Sequence, residues 1–189
     1  MGLLRTPSRW TTAVAAALLC GCGGLDNASL RYGDVVGRVL RAQPDSGLVV
    51  VMGRGLAPVP LEGDGSFHLA SLPVGAEELL VVAGPDEALR VPVTVRPAEV
   101  TDLSEVDPLP AAFIVINLTT QGQVADCWVK VARTHLTEVH APDGSYDFTV
   151  GPLAAGCYHA SMEHDGQEFW SDPEVCLRAG ERRAFDVAW

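Results

Sequence analysis

Gly63-Asp64-Gly65-Ser66-Phe67-His68-Leu69 leads into Leu72-Pro73-Val74-Gly75, and the same plan returns as Pro142-Asp143-Gly144-Ser145-Tyr146-Asp147-Phe148 leading into Leu153-Ala154-Ala155-Gly156. In each copy an Asp-Gly pair marks a tight turn, because glycine takes the positive φ that a hairpin needs and aspartate can bond its own backbone. The strand that follows carries apolar side chains at alternate positions. That puts Phe67 and Leu69, and likewise Tyr146 and Phe148, on a core face. A glycine corner then launches another apolar strand. Recurrence of a whole plan of this kind marks a duplicated structural unit.

Outward from these two stretches, the chain is a series of short β-type runs. Val35 to Leu40 and Leu48 to Met52 precede the first copy; Leu79 to Ala83, Leu89 to Val95 and Thr101 to Val106 follow it. Around the second copy lie Phe113 to Leu118, Cys127 to Val131, Gly156 to Met162, Glu174 to Leu177 and Arg183 to Trp189. Turn signals about every ten residues predict an all-β sandwich architecture. No segment beyond the amino-terminal apolar run shows a sustained 3.6-residue stripe. Pro108-Leu109-Pro110 interrupts the series and is read as the boundary between the halves, since proline lacks a donor and stiffens the join. The expected division is a signal peptide over 1–21, a flexible tether over 22–32, a first β-sandwich over 33–107 and a second over 111–189.

These motifs resemble the carboxypeptidase regulatory-like domain, a transthyretin-like (prealbumin-like, Ig-like) β-sandwich of about seven strands. The resemblance implies two tandem sandwiches serving as spacers, stabilising modules or binding surfaces in an exported protein. The second half keeps the Gly-x-Tyr corner usual in the family at Gly156 and Tyr158, whereas the first has Gly75 followed by Ala76-Glu77. Small hydrolases of purine breakdown share the fold class and end in a tetrapeptide similar to Tyr-Arg-Gly-Ser. This chain ends Asp186-Val187-Ala188-Trp189, a departure that speaks against catalysis.

The amino terminus carries Arg5 and Arg9, an apolar run from Trp10 to Leu19, and then Leu19-Cys20-Gly21-Cys22-Gly23-Gly24. A basic start, a short apolar stretch and small residues before a cysteine read as a secretory signal; the run is too short to span a bilayer, which takes about 20 apolar residues. Its end resembles the lipobox of bacterial lipoproteins, with Leu19 and Gly21 at the required positions before Cys22. The resemblance implies lipidation at Cys22 and loss of Cys20 with the signal. Gly23, where aspartate resembles an inner-membrane retention signal, implies the outer membrane. A single acyl chain binds only marginally, so several on Cys22 would hold the protein to the cell envelope. The alternative reading is an ordinary secretory signal beside a chance cysteine.

The formal net charge is -11. That excludes nucleic acid as a partner, because binding it needs basic surface to displace counterions. The expected partners are the membrane, through the lipid anchor, and other envelope proteins.

Three cysteines remain beyond the signal. Alternation places Cys127 among core residues and turns Cys157 and Cys176 outward on nearby strands. An oxidising compartment then favours a Cys157–Cys176 disulfide, worth roughly 3 kcal/mol in the chain-entropy model. His68, His135, His140, His159 and His164 match no compact ligand spacing, so no metal is expected. The Asp-Gly turns lack the alternating oxygen ligands of a calcium loop. No catalytic motif and no cofactor-binding loop is present, so neither catalytic residues nor cofactors are expected. Trp128, read as outward-facing, and Phe169-Trp170, in a loop-like stretch, are candidate ligand-binding aromatics, suited to a sugar ring or a partner's pocket. Packing at the junction of the halves is the competing reading for them.

Overall fold

The computed structural model describes residues 31–43, 45–119, 127–139 and 147–188. The signal peptide, Cys22, the tether up to residue 30, the Asp143-Gly144-Ser145-Tyr146 turn, His140 and Trp189 lie outside them. Among the described residues every regular element is a strand.

The first half contains β1 (Tyr32–Val39), β2 (Leu48–Val51), β3 (Val59–Pro60), β4 (Ser66–Pro73), β5 (Gly75–Gly84), β6 (Glu87–Val95) and β7 (Val100–Val106). After β8 (Leu109–Pro110) the second half supplies β9 (Ala112–Thr119), β10 (Cys127–Val131), β11 (Thr137–Val139), β12 (Asp147–Leu153), β13 (Gly156–His164), β14 (Gln167–Leu177) and β15 (Arg182–Ala188). The sheets are β4-β1-β7 against β3-β2-β5-β6-β8, and β12-β9-β15 against β11-β10-β13-β14. Apart from β8, which has no counterpart, the second pair repeats the first strand for strand. Even the direction is kept: β7 runs parallel to β1 and β15 parallel to β9, while the other pairings are antiparallel. The duplication read from two turn motifs is thus a duplication of topology.

Alternation builds both cores. Val35, Phe67, Leu69, Leu79 and Val81 fill the first sandwich; Ile114, Ile116, Val129, Phe148 and Tyr158 belong to the second. The corner glycines Gly75 and Gly156 have φ of 136° and 147°, so the first corner keeps the backbone shape without the tyrosine. Gly65 has φ 83°, and a Cβ there would sit 2.4 Å from the Val39 carbonyl oxygen. The Asp64 carboxylate accepts from Ser66 N at 3.0 Å, which confirms this turn as a backbone device.

Two expectations are corrected. Pro108-Leu109-Pro110 does not merely break the chain: Leu109 and Pro110 form β8, paired with Ala88 and Glu87 of β6. Prolines are tolerated there because β8 is an edge strand and needs few donors. Phe169-Trp170 is not a loop but part of β14. The ladder shifts between Met162 and Glu163, which pair with Trp170 and Glu168. Phe169 is the extra residue of a β-bulge, so two consecutive aromatics both pack against the core. How the two halves sit together is not legible in the sequence, and the structure shows that they share apolar packing.

The sheet β3-β2-β5-β6-β8 is covered on both faces. Val49, Val51, Leu79 and Val81 face the first core. Their alternate neighbours Val50, Met52, Leu80 and Val82 join the second unit's cluster. β12 reaches β5 and β6, and Leu136 and Pro152 close over Leu48 and Val82. The chain runs from one unit to the other without a free linker: Ala111 N donates to Asp86 O at 2.7 Å and Gly180 N to Pro110 O at 2.9 Å.

Leu80 is fully buried in this seam. Leu80→Ala should cost about 2–5 kcal/mol. In urea unfolding followed by tryptophan fluorescence, whose reporters in the described chain lie in the second unit, the midpoint should fall even though the substitution is in the first.

Candidate functional site

Two surfaces arise from this arrangement: the outward face of the second unit's larger sheet, and the seam where the units meet.

On the outward face, alternation along β10, β13 and β14 places Trp128, Lys130, His159, Glu163 and the Cys157–Cys176 disulfide on one side. Trp128 is 39% exposed. It lies opposite Glu163 and next to Lys130, whose ammonium pairs with the Glu163 carboxylate. Cys157 and Cys176 are register partners with Cα atoms 3.9 Å apart, joined by the disulfide. The outward pairing read from alternation therefore matches the structure, and Cys127 is buried.

Trp170 does not share this face. Its partner across the ladder is Met162, which faces the core with Val129, whereas Trp128 stands in the adjacent outward row. Trp170 packs edge-on to Phe185 with ring centroids 5.4 Å apart, and the Arg183 guanidinium sits 5.5 Å from the Phe185 ring. Phe169 and Trp170 are partly buried against the second unit's cluster. The three candidate aromatics are thus divided: Trp128 on the surface, Phe169 and Trp170 closing the side of the sandwich.

The seam is polar at one end. Glu78 of β5 ion-pairs with Arg90 of β6 at 3.2 Å and with Arg133, from the β10–β11 turn, at 3.5 Å. Gly53 N donates to Arg133 O at 2.9 Å. Arg90 also lies 4.7 Å over the Tyr158 ring and donates to Cys157 O at 3.4 Å. A Cβ on Gly156 would come within 2.1 Å of an Arg90 nitrogen, so the Gly-x-Tyr corner is shaped to receive an arginine from the other unit. The Tyr158 hydroxyl donates to Ala154 O at 2.7 Å. Burial foremost pushes its pKa up to about 12. Glu77, one residue before Glu78, is buried and is neutralised by Arg54, whose Nε donates to Oε2 at 2.9 Å. This arginine–carboxylate network was not found from sequence, because its members lie far apart along the chain and only the folded seam brings them together.

His135 lies at the apolar end of the seam, lining cavities of about 480 and 230 Å³. Its Nδ1 is buried and makes no hydrogen bond among the described residues. Burial lowers its pKa. The other described histidines are scattered. His68 meets the Asp34 carboxylate at 2.8 Å, and His164 lies 3.3 Å from Asp165. Bonds from Ser71 N and from His68 hold the Asp34 carboxyl below its usual range. Among the described residues Cys157, Glu174 and Cys176 bring ligand-type atoms within 4.8 Å of one another, but the two sulfurs are bonded together and offer no thiolate.

No protein-family model matches the chain, and no curated protein matches it in sequence. Solved structures similar to it include the Bacillus anthracis TIE protein, at 15% identity over 84% of this chain with a TM-score of 0.34. This chain covers 34% of that one, about a third of its length. A DUF3823 family protein from Bacteroides ovatus is 14% identical over 78% of this chain and 99% of its own, with a TM-score of 0.32. GBS52, the minor pilin of Streptococcus agalactiae, is 11% identical over 82% of this chain and 94% of its own, with a TM-score of 0.34. The functional reading therefore rests on the geometry of this chain.

Two outcomes are expected. Replacing both Cys157 and Cys176 by alanine should cost about 2–4 kcal/mol in chemical denaturation. For His135, the folded pKa lies below the unfolded value of about 6.5, so the unfolded state binds more protons. Its contribution is present above that value and is lost as pH falls through the folded pKa. Stability measured against pH should decline on that acid side, and His135→Gln should flatten the decline.

Proposed function

We propose that this chain is a non-catalytic interaction module of the bacterial cell envelope, lipid-anchored through Cys22 to the outer membrane. The two units, corresponding to 33–107 and 111–189, form one rigid body that meets other envelope proteins. The reading is supported chiefly by the seam: a second sandwich seated on the first, tied by Glu78, Arg90 and Arg133, holds the outward sheet of β10, β13 and β14 in a fixed orientation. Presenting a surface at a set angle is work suited to a spacer or docking module. The chemistry supports the same reading, since the notable charged groups are engaged in tying strands together.

A second reading, carbohydrate binding, is favoured by one observation. Trp128 offers an exposed ring beside the Lys130–Glu163 pair. An aromatic face next to charged hydrogen-bonding groups can stack on a sugar and bond its hydroxyls. Phe169 and Trp170 serve this reading less well, because they already pack against Phe185 and the core.

Metabolic labelling with a fatty acid should tag the protein, and Cys22→Ser should remove the tag and release the chain from the membrane fraction. An untagged wild-type chain in the soluble fraction would refute the anchor. Cross-linking in intact cells should capture a stoichiometric envelope protein, and Trp128→Ala should lower the yield severalfold. If a glycan array instead shows binding that Trp128→Ala abolishes, the second reading replaces the first.

A further inference from the structure

The duplicated topology assigns each unit two poles. In the first unit one pole holds the entry of β1, the β2–β3 loop, the β4–β5 corner and the β6–β7 turn. Backbone bonds gather three of these: Val74 N donates to Arg31 O at 2.9 Å, Ala98 N to Tyr32 O at 2.8 Å and Asp34 N to Glu99 O at 2.9 Å. The matching pole of the second unit holds the entry of β9, the β10–β11 turn, the β12–β13 corner and the β14–β15 turn. That second pole is the one pressed against the first unit's sheet, through Arg133, Leu136, Pro152 and Ala154. One copy of this pole is therefore used for docking, and its twin on the first unit is left uncovered by the described residues.

The open pole is unusually apolar. Tyr32, Leu56, Val74 and Val100 are 43%, 47%, 41% and 61% exposed, Leu56 at the side that meets Arg133 and His135 of the second unit. They account for four of the six exposed large hydrophobic side chains among the described residues, the others being Leu109 and Trp128. Charge is distributed in the same sense. Exposed Arg31, Arg54 and Arg96 stand at this pole, Arg54 paired with Glu77 and Arg96 with Glu99 at 3.6 Å. The opposite pole of the same unit carries exposed Asp45, Glu62, Asp64, Asp86 and Asp107. Exposed apolar side chains thus gather at one end, where Arg54 and Arg96 already face carboxylates, and most exposed carboxylates gather at the other, beside Arg38 and Arg41.

Arg31 at this pole is also where the chain from Cys22 arrives. Residues 23–30 are all that intervene. A chain of that length reaches at most about 30 Å. A lipid on Cys22 would hold this pole, and not the acidic one, within reach of the bilayer surface.

We infer that the Tyr32–Val74–Val100 pole is a membrane-docking surface that seats the first unit on the lipid headgroups, with Arg31 directed to their phosphates. The inference rests on the reading of Cys22 as lipid-bearing. A tyrosine beside aliphatic side chains suits the interface, where the ring is buried and the hydroxyl stays wet. Arginines extend apolar stems while their heads remain among the phosphates. A second copy of the chain is the competing occupant. By analogy with the seam, it would have to offer the outward face of β10 and β13. That face carries Lys130, His159 and Glu163 where the seat within the chain carries Val50, Met52, Leu80 and Val82, so its chemistry does not match. Docking also fixes the orientation of the whole body. The second unit is locked to the first, so the Trp128 face is then held at one height and angle above the bilayer.

The test uses the full-length protein, processed in cells, purified in mild detergent and reconstituted into vesicles of phosphatidylethanolamine and phosphatidylglycerol. Flotation reads the anchor. Variants Val74→Trp and Val100→Trp report the open pole, and Asp86→Trp reports the opposite one; all three alter exposed residues. Phospholipids brominated near the headgroup should quench the first two at least twofold more than the third. Flotation without this difference overturns the docking surface and leaves the anchor standing. Failure of the wild type to float overturns both. Equal fluorescence in brominated and ordinary lipid, together with cross-links between copies at Val74→Cys, assigns the pole to a second chain and overturns the bilayer. If Val74→Trp fails to fold, Val100→Trp carries the comparison.

Discussion

The structure depends on burial of a single sheet from both sides. β2 and β5 place Val49, Val51, Leu79 and Val81 in one core and Val50, Met52, Leu80 and Val82 in the other. Each such side chain contributes about 1.5–3 kcal/mol when withdrawn from water. A sandwich made of the first half alone would expose one whole face of that sheet. The second unit therefore completes the first, and the Glu78–Arg90–Arg133 ties sit at the margin of an association that apolar packing dominates. Surface ion pairs of this kind are weak individually; their value lies in fixing the angle at which the units meet.

Duplication and asymmetry work together here. Apart from β8, both units have the same strand order and the same pole geometry, yet their larger sheets differ on the outward side. In the first unit that side is apolar and seats its neighbour. In the second it carries Trp128, Lys130, His159 and Glu163, a surface suited to water and to polar partners. The repeat thus uses one topology to give a docking pole, a seat and an outward face, each assigned by the residue at alternate positions.

Much of the fold could be read from particular residues. Asp64-Gly65 and Gly156 announce their turns because only a few residue types accept those backbone angles. Phe67, Leu69 and Phe148 announce their faces by alternation, and the same reasoning turns Cys157 and Cys176 outward as partners. The seam was harder. Its signal was present: Leu48 to Met52 and Leu79 to Ala83 are apolar at every position, whereas a strand with one wet face alternates. A run of that kind does not say what covers its second face. β8 was missed because two prolines suggest a break and a two-residue strand has no periodicity. Phe169 and Trp170 were misplaced because a bulge cancels alternation locally. The Arg90–Tyr158 contact joins residues of different units and could not be seen before the units were docked.

Native-state hydrogen exchange, resolved strand by strand, tests the shared sheet most directly. Amides of β5 and of β9 and β13 should open with the same free energy and the same denaturant dependence, as one cooperative unit. Protection of β5 that is lost in a separate, smaller opening while β9 and β13 remain closed would contradict the account, because it would show two sandwiches that fold apart and merely touch.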